Sequence, residues 1–243
     1  MIPLELAACP TAQALRAKDA LGVPVVAIDT LRAATTSAAA LENGAGEIWP
    51  VRSVEAAFAR RERLQGALLG GERQMLPVAG FDAGNSPFDY PPGRVAGRSV
   101  VLTTTNGTLA LTRAHKASGA AFAALRTAHL AANWLEACGA PRAVIALAGT
   151  GGGFSYEDAL AAGAIAARLP GARLDDLMRT CLSAFRAALR NLPRELAETP
   201  HGQRLIARGF ADDVAYAAQV FAGTVLPVRD EQKKGRLVAW RGA

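Results

Sequence analysis

An α/β fold, with a mostly parallel sheet flanked by helices and a helix-rich C-terminal part, is what this 243-residue sequence predicts. Three observations predict it. Short continuous apolar runs recur along the first two thirds of the chain. Alanine- and leucine-rich stretches alternate with them. After Pro170 the alternation gives way to an almost purely helical pattern.

The apolar runs are Val23 to Ile28, Glu47 to Val51, Ala67 to Leu69, Ser99 to Leu102, Ala120 to Ala123 and Ala143 to Ala148. Runs of this length without polar alternation suit strands covered on both faces. Helices are expected between them, over about 33–43, 53–65, 107–116, 126–138 and 156–168. Such alternation builds βαβ units and a parallel sheet. Ser53 is placed to cap the second helix, and Ser155 with Asp158 has the spacing of a capping box. Beyond Pro170-Gly171, residues 175–191, 201–208 and 211–222 read as helices and Val225 to Val228 as a strand. The expected organisation is an α/β core over 1–170 with a helical part, 171–243, packed on it, or a single domain over 1–243. The many alanines let these helices pack closely.

The length is ample for a buried core. The net charge of +6 comes from 27 basic and 21 acidic residues. It describes an arginine-rich surface, or a positive field that attracts an anionic substrate. Lys233 and Lys234 are the one adjacent lysine pair, and no basic run is interleaved with aromatics, so no nucleic-acid partner is expected. Cys9, Cys138 and Cys181 form no Cys-x-x-Cys pair, which suits a reducing compartment. The opening Met-Ile-Pro-Leu-Glu has no basic segment leading into a long apolar run, so no signal peptide is expected. No stretch approaches the roughly 20 apolar residues that span a bilayer, and the expectation is a cytoplasmic protein with no membrane partner.

In open α/β sheets, ligands bind outside the carboxyl ends of the strands. Four strand ends here are dense in polar residues or glycine. The first reads Asp29-Thr30-Leu31-Arg32-Ala33-Ala34-Thr35-Thr36. A carboxylate directly after a buried strand can hold a metal, act as nucleophile, or cap the next helix; Arg32 can clamp an anion or be a surface charge. The second joins Gly70-Gly71-Glu72-Arg73 to Gly80-Phe81-Asp82-Ala83-Gly84-Asn85-Ser86-Pro87. Glu72 and Asp82 offer the hard oxygens magnesium prefers, while Asn85 and Ser86 offer neutral hydrogen bonds. A glycine-rich connecting loop is the plainer reading. The third, Thr103-Thr104-Thr105-Asn106-Gly107-Thr108, is a run of hydrogen-bonding groups at a strand-to-helix junction and suits an oxyanion cradle. The fourth, Gly149-Thr150-Gly151-Gly152-Gly153, leads into Ser155-Tyr156-Glu157-Asp158. It lacks the Gly-x-Gly-x-x-Gly spacing of a dinucleotide fingerprint and reads as a small-anion loop or a flexible crossover. Asp175-Asp176 and Asp212-Asp213 each open a helix, where negative charge complements the dipole.

Several chemistries are excluded. There is no Walker A loop and no Gly-x-Ser-x-Gly elbow. A cysteine phosphatase needs arginine six residues after its nucleophile, but Leu15, Val144 and Ala187 stand there. His115, His129 and His201 are isolated, which argues against a multi-histidine zinc centre. An Asp-x-Asp nucleophile is missing, because Leu31 follows Asp29-Thr30. What remains is carboxylate-, hydroxyl- and glycine-rich chemistry suited to magnesium-assisted phosphoryl transfer to water.

Taken in order, Asp29 to Thr36, Gly71-Glu72-Arg73, Gly80 to Pro87 and Thr103 to Thr108 resemble the 2-phosphosulfolactate phosphatase family. Ala148-Gly149-Thr150-Gly151 with Glu157-Asp158, and Gly209-Phe210 with Asp213, are similar to its later motifs, so that the likeness runs over about 25–230. The resemblance implies magnesium (Mg2+)-dependent hydrolysis of 2-phosphosulfolactate to 3-sulfolactate and phosphate, a step of coenzyme M biosynthesis. Phosphatases of other 2-phospho acids, such as phospholactate or phosphoglycolate, and a non-catalytic small-anion binder are the alternatives. The expected metal ligands are Asp29, Glu72, Asp82 and Asp158. Asp29, Arg32, Asp82 and Asn106 are the expected catalytic groups, with Arg73, Asn85, Ser86, Thr104, Thr105, Gly107 and Thr150 binding a small anionic phosphorylated metabolite. A homodimer is allowed.

Overall fold

The computed structural model of the protein describes residues 3–233 and 235–242. Met1 and Ile2, which open the stretch read for a signal peptide, and Lys234 of the lysine pair lie outside them. The strands are β1 (Glu5–Cys9), β2 (Val25–Ile28), β3 (Glu47–Val51), β4 (Leu68–Arg73), β5 (Leu76–Pro77), β6 (Ser99–Thr103), β7 (Ala120–Ala123), β8 (Arg142–Leu147), β9 (Arg173–Leu174), β10 (Leu226–Arg229) and β11 (Leu237–Trp240). The helices are α1 (Ala33–Glu42), α2 (Val54–Arg63), α3 (Pro92–Val95), α4 (Gly107–Arg113), α5 (Ala128–Cys138), α6 (Tyr156–Ala167), α7 (Asp176–Ala188), α8 (Leu192–Glu198), α9 (Pro200–Ile206) and α10 (Ala211–Ala217). No helix among the described residues is long and apolar enough to cross a membrane.

The strands form one sheet in the order β5-β4-β6-β3-β11-β10-β7-β2-β8-β1-β9. It holds two parallel blocks, β4-β6-β3 and β7-β2-β8-β1-β9. The antiparallel β10–β11 hairpin sits between them. Its outer contacts are single residue pairs, Leu237 with Ile48 and Val228 with Ala121. Pro50 and Pro227 lie in the strands at this seam and have no N–H to give to a ladder. Because every pairing from β3 to β7 is antiparallel, the two blocks run in opposite senses. Their carboxyl ends nevertheless line one cleft.

The parallel strands β2, β7 and β8 are almost wholly buried, as their continuous apolar runs predict. α1 is buried all round from Ala33 to Leu41, and α6 from Glu157 to Ala166. Small side chains make this possible. A Cβ on Gly163 of α6 would lie 2.1 Å from the Cys181 carbonyl of α7, so the two helices touch backbone to backbone. Ser53 caps α2 through the Ala56 N–H, as expected. Only half of the expected capping box forms at α6. Ser155 Oγ accepts from the Asp158 N–H, but the Asp158 carboxylate turns inward to other partners.

The apolar pattern conceals β1 and β11. β1 reads Glu-Leu-Ala-Ala-Cys with one buried residue, and β11 is half exposed. Both are recruited by pairing with better-marked strands. One apolar cluster runs from Leu6 of β1 to Leu226 of β10 and takes in α5, α6, α7, α8, α9 and α10. Side chains on either side of Pro170 therefore share a core.

Candidate active site

The cleft has a volume of about 230 Å³ and is lined by Asp29, Leu31, Arg32, Glu72, Gln74, Met75, Asn85, Thr104, Thr105, Asn106, Thr150, Gly151, His201 and Arg204. Asp29 directly follows β2. Its Oδ1 accepts the Ala33 N–H at 3.1 Å, which anchors the start of α1. Gly107 packs against its Oδ2: a Cβ there would fall 2.5 Å from that oxygen and 2.7 Å from Phe122 Cζ. Glycine is thus what lets the 104–107 loop close over the carboxylate. Burial pushes the Asp29 carboxyl up to about 6; His201 opposes this, while Glu72 and Glu157 add to it.

Glu72 is the next-to-last residue of β4 and gathers the loops around it. Its Oε2 accepts the Met75 N–H at 2.8 Å, and its Oε1 accepts the N–H and hydroxyl of Thr105, both at 2.9 Å. Thr104 Oγ1 and Asn85 Oδ1 are buried at the cleft without a protein hydrogen bond. Buried polar atoms of that kind call for a ligand or water.

Arg32 is not a surface charge. It is 4% exposed. Its Nη1 donates to Asp213 Oδ2 at 2.6 Å, its Nη2 to the Met75 carbonyl at 3.0 Å, and its Cζ lies 4.2 Å above the Phe210 ring. Asp213 in turn accepts from Ser86 Oγ at 2.7 Å. The guanidinium is thereby fixed in orientation while still bordering the cleft.

Asp29, Arg32, Glu72, Asn85, Thr104, Thr105, Asn106 and Thr150 therefore meet in one cleft, with Gly107 at its wall. Ser86 stands two hydrogen bonds behind Arg32, reaching it through Asp213. Asp158 is buried behind the site, where its two oxygens accept from the N–H groups of Thr30 and Gly149 at 2.9 and 3.1 Å. Burial and the Asp29 charge raise its carboxyl. It staples the β2 and β8 loops together.

Asp158, expected as a metal ligand, thus stands outside the cleft, and two more expected residues lie further off. Arg73 donates to Thr103 Oγ1 and to the carbonyls of Arg52 and Glu72. Side chains alternate along a strand, so placing Glu72 in the cleft turns Arg73 away. Asp82 accepts the Leu69 N–H at 2.8 Å and sits 3.8 Å from Arg61. Residues 82–84 run along β4, with Gly70 bridging Ala83 in parallel and the Gly71 N–H reaching the Gly84 carbonyl. Asn85 and Ser86 thereby arrive at the site, while Asp82 remains on the order of 10 Å back along the strand direction.

His201, Arg204, Gln74 and Met75 escape a reading of motifs. Asp213 belongs to the Gly209-Phe210 motif, but it opens α10 like an ordinary helix-start acid and its pairing with Arg32 is not legible there. His201 and Arg204 share a face of α9 at i, i+3, the only local signal they carry. Nothing in the sequence says that α9 covers the cleft.

A mostly parallel α/β scaffold with a carboxylate, an oriented arginine and a hydroxyl-amide wall at its strand ends defines an enzyme that acts on a small anionic ester. The 2-phosphosulpholactate phosphatase family model matches residues 9–232. The probable 2-phosphosulfolactate phosphatase of Carboxydothermus hydrogenoformans is 39% identical over 91% of this chain and 92% of its own. That of Deinococcus radiodurans is 42% identical over 82% of this chain and 85% of its own. The one from Thermotoga maritima is 35% identical over 79% and 82%. The chain belongs to the 2-phosphosulpholactate phosphatase family, and with it to the phosphatases that act on phosphate monoesters.

Proposed function

We propose that this protein hydrolyses 2-phosphosulfolactate to 3-sulfolactate and phosphate in a magnesium-dependent reaction in the cytoplasm, a step of coenzyme M biosynthesis. The names carried by its relatives support the substrate. The observation that carries the chemistry is the meeting of Asp29 with Thr104, Thr105, Asn106 and Arg32 around one cleft.

Among the described residues no three His, Cys, Asp or Glu side chains group as a metal cage. Magnesium needs no such cage: it takes one or two carboxylates, then phosphate oxygens and water. Asp29 and Glu72 fit that donor set. Both line the cleft and offer hard carboxylate oxygens to it. Bound there, magnesium would neutralise phosphate charge and lower the pKa of attacking water. Asp29 Oδ2 then either orients that water or attacks phosphorus itself. Thr104 and Asn106 donate to the phosphate oxygens, as the unpartnered Thr104 hydroxyl supports, while Thr105 gives both its donors to Glu72 and holds that carboxylate in place. Arg32, held by Asp213, faces the same charge. Arg204 on the rim meets the second anionic group of the substrate.

Arg204 is exposed, and a long mobile cation accepts carboxylate as well as sulfonate. That favours a second reading, in which other 2-phospho acids are substrates. Phosphate release across a panel of 2-phospho acids, with and without magnesium, tests both. A steep fall when sulfonate becomes hydrogen supports the first reading. A flat profile supports the second, and no turnover in the panel sinks both. With a substrate made chiral at phosphorus by oxygen isotopes, retention of configuration would mean covalent catalysis through Asp29, and inversion direct attack by water.

A further inference from the structure

His201 lines the same cleft as Asp29 and Glu72, on the first turn of α9. Its Nδ1 is 3.2 Å from Thr150 Oγ1 and 3.3 Å from Glu157 Oε1. Glu157 is 3% exposed. Among the described residues His201 is the one basic side chain within ion-pair distance of it. A buried carboxylate with a single partner fixes that partner. The first turn of α6 favours the negative charge where Glu157 stands. The loop after β8 and the start of α6 thus hold the Nδ1 edge of the imidazole that α9 carries. Among the described residues Nε2 makes no hydrogen bond to the protein, although the ring lines the cleft. A carboxylate behind one ring nitrogen, with the other nitrogen presented to a ligand, is the arrangement of a positioned proton donor or acceptor.

We propose that His201 is the acid that protonates the leaving oxygen of the ester, with Glu157 and Thr150 as its positioning residues. This rests on the phosphatase reading above. An aliphatic 2-hydroxy acid leaves as a strongly basic alkoxide, so the P–O bond breaks readily only if a proton arrives with it. As the bond from phosphorus to the bridging oxygen breaks, the Nε2 proton moves to that oxygen and the hydroxy acid departs neutral at the former ester position. The new bond to phosphorus comes from water, whose released proton restores the imidazolium. Hydrolysis therefore balances with no other reactant. Asp29 and the 104–106 wall act on phosphorus, while α9 serves the leaving group.

The test compares two esters of the same acid, one with the natural bridging oxygen and one with sulfur in its place. A thiolate leaves without protonation, and the anionic groups that bind the substrate are unchanged. His201→Gln should lower turnover of the oxygen ester by about 10²–10⁴-fold and of the sulfur ester by less than about tenfold. Glu157→Gln should shift the same ratio in the same direction by less, with KM for either ester moving little. Equal losses on both esters in His201→Gln would overturn the proposal, as would an unchanged oxygen-ester rate. If His201→Gln fails to fold, Glu157→Gln decides by the same ratio. A wild-type protein that turns over neither ester removes the phosphatase reading itself and the proposal with it. Wild-type turnover of both, lost equally in the variant, removes only the assignment to His201.

Discussion

Arg32 and Asp213 are 181 positions apart in the chain, yet Nη1 and Oδ2 lie 2.6 Å from one another and both side chains are 3% exposed. The pair ties the loop after β2 to the start of α10 and aims the guanidinium at the cleft. Removing one member of a buried ion pair leaves the other charged and unpaired, at about 3–5 kcal/mol. Asp213→Ala is expected to lose roughly that much in urea unfolding and to lower phosphate release as Arg32 loses its anchor. Unchanged stability would show that the pair is not closed in solution.

The pH dependence of the metal-free protein follows from Asp29. Its carboxyl rises from 3.8 to about 6 on folding. Between these values the folded state binds more protons than the unfolded one, so stability falls as pH rises from near 4 to near 6 and then levels. About two units correspond to about 3 kcal/mol. Asp158, raised likewise, adds to the same slope. Asp29→Asn is expected to flatten the curve, to stabilise the metal-free protein at neutral pH and to abolish turnover. Melting temperatures across pH check the first two.

Gly107 sets how closely the hydroxyl-rich loop approaches Asp29. In Gly107→Ala the new methyl must displace Asp29 Oδ2 or the Phe122 ring. Turnover should fall at least about a hundredfold, since a displacement of about 1 Å at a reacting group costs that much. Circular dichroism should remain near that of the parent.

Glu72 and Asp82 separate by position. Glu72→Gln should raise the magnesium concentration needed for half-maximal rate, because a cleft carboxylate is lost. Asp82→Asn, outside the cleft and half exposed, should keep the rate within about tenfold. A larger loss in Asp82→Asn than in Glu72→Gln would refute the placement of the metal.

Arg204→Ala should raise KM for a substrate with a second anionic group more than it lowers kcat. The effect should shrink for an ester without that group, and steady-state kinetics on the two substrates checks it.

Strand placement was legible from local pattern. Runs such as Val25-Val26-Ala27-Ile28 and Ala120 to Ala123 are apolar at every position because both faces are covered, and that imprint is written into consecutive residues. The polar strand ends at Asp29, Glu72 and Thr104 to Asn106 were legible for the same reason: parallel strands deliver their carboxyl ends to ligands, so site residues follow apolar runs directly. Tertiary structure alone decided that Asp82 pairs with the Leu69 N–H instead of the cleft, that Asp213 faces Arg32, and that α9 lays His201 over the site. These depend on how segments far apart in the chain dock. Docking is settled by summed packing across the Leu6–Leu226 core and the β10–β11 hairpin, and no short stretch of residues carries that sum.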